Sequence, residues 1–201
     1  MAPENKSNIS LELETKIEKY ALSFLCQGRK EWDEPHTKAV VYYATEIANS
    51  SGLNVLVLKT AAWLHDIGYH SLFEGDESKQ FSQVMDRKAK HMANGAKLAE
   101  LFLEKPEIKT FYTKEQTERI IHLVSVHDLV EELKDDDEIA LMEADTLGAI
   151  DIDRVSTTFS REDAMKYVEK ELTTRRFPKF RTKIGIKYYQ ELLPKFTAQF
   201  D

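Results

Sequence analysis

The sequence carries a single cysteine, Cys26, in 201 residues. A lone thiol excludes an intrachain disulfide and any multi-thiolate metal site, and it fits a reducing compartment. Glycine and proline are also scarce, at seven and five. That argues against a loop-rich β sandwich and against collagen-like or disordered classes. Long apolar runs are missing as well. The most hydrophobic stretch, Val55 to Leu64, is interrupted by Lys59 and falls far short of the roughly 20 residues a membrane span needs. There is no excess of basic charge: the formal net charge is −7, which argues against general nucleic-acid binding. The opening MAPENKSNIS reads as a polar lead-in without the apolar core of a signal peptide. These absences together predict a cytoplasmic protein with neither a membrane nor a nucleic acid as partner.

What is present is helical. Hydrophobic residues make up 42% of the chain, enough for a core without staples, and the 31% that are charged are mostly helix-favouring Lys and Glu. No strand alternation, repeat or low-complexity tract interrupts the pattern, so residues 1–201 are expected to form one all-α domain of about seven to nine helices. Helices are expected over about 11–25, 34–50, 54–66, 87–104, 114–127, 138–150, 161–172 and 182–199. Asp33 is the expected N-cap of the second, with Pro35 in its first turn, and Gly68 closes the third. Thr113-Lys-Glu-Gln116 has the form of a capping box. The acidic run Asp135 to Glu138 suits a helix start. The polar segment from Tyr69 to Asp86 reads as an irregular lid or substrate loop.

Several polar residues sit where a helix would otherwise bury apolar side chains. His36 shares a stripe with Val40, Tyr43, Ala44 and Ile47. His91 aligns with Gly95, Leu98 and Phe102, and His127 with Ile120, Leu123 and Val124. Asp145 is flanked by Leu141, Met142, Gly148 and Ala149, while His65-Asp66 ends the apolar run AAWLHD. A single inward histidine is commonly just a hydrogen-bonded core residue. Two inward carboxylates are costlier to leave alone, and with several imidazoles they most economically share a divalent cation. Imidazole suits Zn, Fe, Mn, Co or Ni; carboxylate shifts the choice toward the harder of these, with Mg as a further possibility.

The segments WDEPH ending at His36, AAWLHDIG with His65-Asp66, and EADTLGAID with Asp145 resemble the H…HD…D signature of the HD-domain superfamily over about residues 33–150. The resemblance implies a helical bundle with a metal site at its centre, residues 151–201 packing on it, and His36, His65, Asp66 and Asp145 as metal ligands. His91 in HMANGAKLAE and His127 in IIHLVSVHD resemble the extended, two-metal version, with Asp66 as the catalytic residue able to bridge. The implied activity is hydrolysis of a small phosphomonoester or nucleotide by a metal-activated water. A di-iron oxygenase and a non-catalytic metal-containing sensor share the same ligand pattern and stay open as alternatives. No GYP follows His127, so the cyclic-dinucleotide phosphodiesterase branch is not supported. Tyr69 stands where many relatives have Lys.

Outside the signature, His122 is expected on the polar side of its helix and His70 near the pocket. Glu74, Asp76 and Glu77 are candidates for a general acid by proximity alone. Residues 172–190 contain no acid but hold Arg175, Arg176, Lys179, Arg181, Lys183 and Lys187. That stretch is either a solvated basic face or a rim for an anionic substrate. In the second reading Arg175, Arg176, Arg181 and Lys183 are the candidate contacts. Oligomeric state is not legible.

Overall fold

In the computed structural model, residues 10–29, 31–75 and 77–200 are described. The polar lead-in before Ser10 and the candidate acid Asp76 lie outside the described residues. Within them the chain is helical and contains no strand. The helices are α1 (Leu11–Leu25), α2 (Asp33–Ser51), α3 (Val55–Leu64), α4 (Phe81–Asp86), α5 (Lys88–Leu103), α6 (Pro106–Lys109), α7 (Lys114–Val126), α8 (Asp136–Ile150), α9 (Arg161–Tyr167) and α10 (Lys183–Ala198). The count exceeds the expected seven to nine because of α4 and α6, which span only six and four residues. Periodicity cannot register pieces of that length.

Capping fixes most of the boundaries. Ser10, Asn54, Ser160 and Thr182 each accept a backbone N–H from the first turn of the helix they precede. Thr113 with Gln116 and Asp135 with Glu138 form capping boxes at α7 and α8. α8 is the spine, with every residue from Glu138 to Ile150 buried. α2 crosses it so closely that a Cβ at Gly148 would press on the Val40 backbone, 3.1 Å from its nitrogen. α3, α7 and α10 also pack on α8, and Ile184, Tyr188 and Leu192 of α10 face the core.

Four local expectations are corrected. Asp33 does not cap α2; it is the first helical residue, and its carboxylate turns back to accept from the backbone N–H and Nε of Arg29. α3 ends at Leu64, and Ile67–Tyr69 forms a 3₁₀ turn, so Gly68 closes nothing. The segment 69–86, expected to be irregular, contains α4 and a 3₁₀ turn at Glu77–Lys79. The helix expected to stop at Leu172 continues from α9 in wide π turns over Val168–Arg176. Those turns keep Val168, Leu172 and Arg176 buried at intervals of four, a stripe that the polar sequence around it obscures.

Gly68 owes its place to close approach. A Cβ there would overlap the carbonyl oxygen of His91 and crowd Gly95 of α5, and backbone cannot step aside as a side chain can. Gly68→Ala is therefore expected to cost about 3 kcal/mol or more in urea unfolding. A cost under about 1 kcal/mol would show that the 3₁₀ turn and α5 are not locked together.

Candidate metal centre

The 3₁₀ turn matters because of what precedes it. α3 carries His65 to its end, and the chain leaves the helix at Asp66, which is freed to face inward. Around it stand His36 from the first turn of α2, His91 from α5, His127 at the end of α7 and Asp145 from α8. All six side chains are buried. The structure thus brings together every residue of the sequence signature and both additional histidines.

The two oxygens of Asp66 face different partners. Oδ2 lies 3.2 Å from His65 Nε2 and 3.6 Å from His36 Nε2. Oδ1 lies 3.4 Å from His91 Nε2 and 3.6 Å from His127 Nε2. Two triads capable of holding a metal ion therefore meet at this carboxylate: His36, His65 and Asp66, and Asp66, His91 and His127. Asp145 adds to the first triad, its Oδ1 being 3.0 Å from His36 Nε2 and 3.7 Å from His65 Nε2.

Backbone contacts aim the imidazoles. His65 Nδ1 lies 2.8 Å from the Ala62 carbonyl and His127 Nδ1 lies 2.9 Å from that of Val124. Each such nitrogen must donate, so once the other nitrogen has lost its proton each ring turns an Nε2 lone pair inward. His65 Nε2 has no hydrogen-bond partner, and His91 Nε2 and His127 Nε2 approach each other at 3.1 Å. Buried lone pairs facing carboxylates and one another fit a shared cation.

The electrostatics treat two of these histidines oppositely. Burial opposes charge on His65, yet the neighbouring carboxylates of Asp66 and Asp145 outweigh it and push its pKa up to about 9. Burial and the adjacent His127 take His91 down to about 3, which keeps it neutral and available as a ligand. Burial works against the charged forms of Asp66 and Asp145 as well. His65 and Arg29 nonetheless hold Asp66 well below the usual carboxylate range, and Arg176 and His36 do so for Asp145.

Competition between proton and metal at His65 has a measurable consequence. A raised folded pKa contributes stability below the unfolded value of 6.5, which is lost as pH rises through about 9. Metal-free protein is expected to lose stability over that interval, while metal affinity rises about tenfold per pH unit as the competing proton leaves. Calorimetric titration with Mn(II) in buffers of different ionisation enthalpy checks this. Metal uptake without proton release at pH 7 would contradict it.

Three cations surround the cluster. Arg29 bonds to Asp66 and Asp33 and lies over the Tyr69 ring at 4.1 Å, and Tyr69 in turn stacks on His91 at 4.0 Å. Buried between Arg29 and Asp66, the Asp33 carboxyl is pushed up to about 6, by burial first and by Asp66 second, against the pull of Arg29. Arg176, itself buried, donates to Asp145 Oδ2 at 2.7 Å and to Asp128. Lys88 lies 3.4 Å from Asp128 and 3.0 Å from Glu171. Sequence reasoning missed Arg29, Lys88 and Asp128. Lys88 precedes His91 by three residues and shares its face of α5, which was the available signal there, whereas Asp128 follows His127 just past the end of α7.

A cavity of about 570 Å³, including its open mouth, leads to this centre, and its lining includes Arg29, His36, Asp66, Lys88, Asp128, Asp145 and Arg176. Of the basic stretch, only Arg176 reaches it. Arg175 pairs instead with Glu131 and Glu171, and Arg181 with Asp136 and the Lys134 carbonyl. Lys183 borders a separate surface depression with Ser50 and Asp136. The wide turns of the π-helix aim Arg176 inward and leave its neighbours outside, so Arg175, Arg181 and Lys183 do not line this cavity. His70 lies in another shallow depression with Asn94 and Lys97. His122 is on the surface, bonded to Glu138 at 2.7 Å. Glu77 pairs with Arg87 at 2.7 Å and Glu74 is exposed, and neither lines the cavity.

Fold and site define an all-helical protein with buried histidine–aspartate clusters able to hold a metal ion. The model of the HD domain matches residues 35–155, more than half of the chain, and the protein belongs to that family. No curated protein and no solved structure matches it. HD domains are generally metal-dependent hydrolases. No described helix is long and apolar enough to cross a membrane.

Proposed function

We propose that this protein is a metal-dependent phosphohydrolase acting on a small phosphomonoester or nucleotide. One observation carries the reading: the two oxygens of Asp66 divide between two histidine pairs beneath a cavity that also presents Arg29, Lys88 and Arg176. His36, His65 and Asp145 would hold one metal, His91 and His127 a second, and Asp66 would bridge them. Divalent metals there supply Lewis acidity, lowering the pKa of water and offsetting charge on phosphate oxygens. Mn, Fe, Co, Ni and Zn all suit this ligand set, and Mg is admissible.

The chain's own groups do the rest. Arg29, Lys88 and Arg176 line the cavity and would offset the negative charge of a phosphate there. Asp128 holds Arg176 and Lys88 in place before substrate arrives. Burial of the cluster strengthens each of these interactions by excluding water.

The test is phosphate release from a panel of nucleotides and small phosphomonoesters, using metal-stripped protein reconstituted separately with Mn, Co, Ni, Zn, Mg or Fe(II). Turnover that requires metal and is lost in Asp66→Ala is the expected result. No turnover with any metal would overturn the reading. Oxygen uptake by the iron-loaded protein would then indicate an oxygenase, and metal content without either activity a sensor.

A further inference from the structure

The four histidines of the centre are not aimed in the same way. His65 and His127 turn Nδ1 to the carbonyls of Ala62 and Val124. His36 and His91 have no such contact: the Nδ1 of each is buried without a hydrogen-bond partner. His36 is still tied to Asp145, 3.0 Å from its Nε2. The one hydrogen-bond partner of His91 is another imidazole, that of His127 at 3.1 Å. A hydrogen bond at the second nitrogen is the ordinary device that fixes the plane of a metal-binding histidine. Without it the ring is loosely set, because the torsion from a tetrahedral to a planar carbon has broad wells.

Tyr69 lies against His91 instead. Their ring centroids are 4.0 Å apart and their planes 8° from parallel, the closest and flattest ring pair among the described residues. Tyr69 is held in turn. It is buried, the Arg29 guanidinium lies over its ring at 4.1 Å, and Phe73 stacks 5.5 Å away. The same guanidinium is bonded to Asp66 and to Asp33. Tyr69 also ends the 3₁₀ turn whose Gly68 meets the carbonyl of His91, so that turn engages His91 by backbone and by ring. Asp66 and His91, 3.4 Å apart between Oδ1 and Nε2, are thus both referred to one phenol ring: Asp66 through Arg29, His91 by direct stacking.

We propose that Tyr69 is a positioning residue whose aromatic face sets the plane of His91, and thereby the affinity of the metal held by Asp66, His91 and His127. The metal held by His36, His65 and Asp145 does not depend on it. The role presupposes the two-metal reading of the centre, not the reaction carried out there.

Mn(II) uptake by metal-stripped protein is followed calorimetrically, and the binding event lost in His91→Ala identifies the half concerned. Tyr69→Phe keeps the stack and is expected to match wild type within about twofold in both events. Tyr69→Leu keeps an apolar side chain but no flat face, and is expected to lose about tenfold in that event alone, the lower end of what loss of a ligand's supporting contact costs. Tyr69→Met replaces it should the Leu variant not melt cooperatively. No loss in the Leu variant, equal losses in both events, or the same loss in Tyr69→Phe would overturn the role. A wild type with a single event, or one that His91→Ala leaves intact, would overturn it together with the two-metal reading. Phosphate release is assayed on the same proteins. The selective loss of affinity without any turnover upholds Tyr69 and sinks the hydrolase reading; turnover with affinity unmoved in Tyr69→Leu does the reverse.

Discussion

Asp66→Ala is expected to lower metal-dependent phosphate release by about 10³-fold or more, the scale on which preorganised electrostatic stabilisation acts, and to reduce bound metal in both halves of the centre together. The reason is the division of its two oxygens between His36 and His65 on one side and His91 and His127 on the other. Asp145→Ala removes a carboxylate that approaches His36 and His65 but neither His91 nor His127 among the described contacts, so it should weaken one half and spare the other. Arg29 keeps Asp33 as its partner in the Asp66 variant, which leaves a charge-paired fold in which to make the measurement. Metal content by mass spectrometry, alongside turnover, decides the matter. An Asp66→Ala protein that retains one tightly held metal would show that the carboxylate does not bridge.

The largest stability effect is expected at Arg176. Its guanidinium joins Asp145 of α8 to Asp128 after α7, with all three side chains buried or nearly so. Arg176→Met keeps much of the aliphatic stem but leaves two buried carboxylates short of their cation. Breaking a buried pair from one side costs about 3–5 kcal/mol, or roughly 6–20 °C in melting temperature for a chain of this size. The sign of the pH dependence follows from Asp145. Burial opposes its charged form, but Arg176 and His36 hold its pKa well below the ordinary carboxylate value of 3.8. Its contribution is present above that value and lost as pH falls through the folded pKa. The gap between variant and wild type should therefore be widest near neutrality and narrow below about pH 3.8. A deficit under 1 kcal/mol at pH 7 would mean that metal-free Asp145 and Asp128 are adequately served by His36 and Lys88.

Much of the molecule was legible one segment at a time. The stripe of His36 with Val40, Tyr43 and Ile47 placed an imidazole on an inward face, because helical periodicity is local and survives in any fold. The capping box at Thr113 and the acidic start of α8 marked their boundaries for the same reason. Asp33 shows where such reading fails. It has the chemistry of an N-cap, but a buried guanidinium four residues earlier makes a stronger claim on its carboxylate.

The sequence by itself determined the helical class and the inward faces of six histidine and aspartate residues, since composition, period and caps act over a few residues. Tertiary structure alone decided which cations meet those residues. Arg29 lies 37 residues from Asp66, and Arg176 lies 31 from Asp145 and 48 from Asp128; no local rule links positions so far apart. It also singled out Arg176 within a run of basic residues, because the wide turns of the π-helix set which side chain points inward. The contacts among Trp32, Phe81, Phe159 and Tyr167 are of the same kind: rings from distant segments meet only in the folded chain.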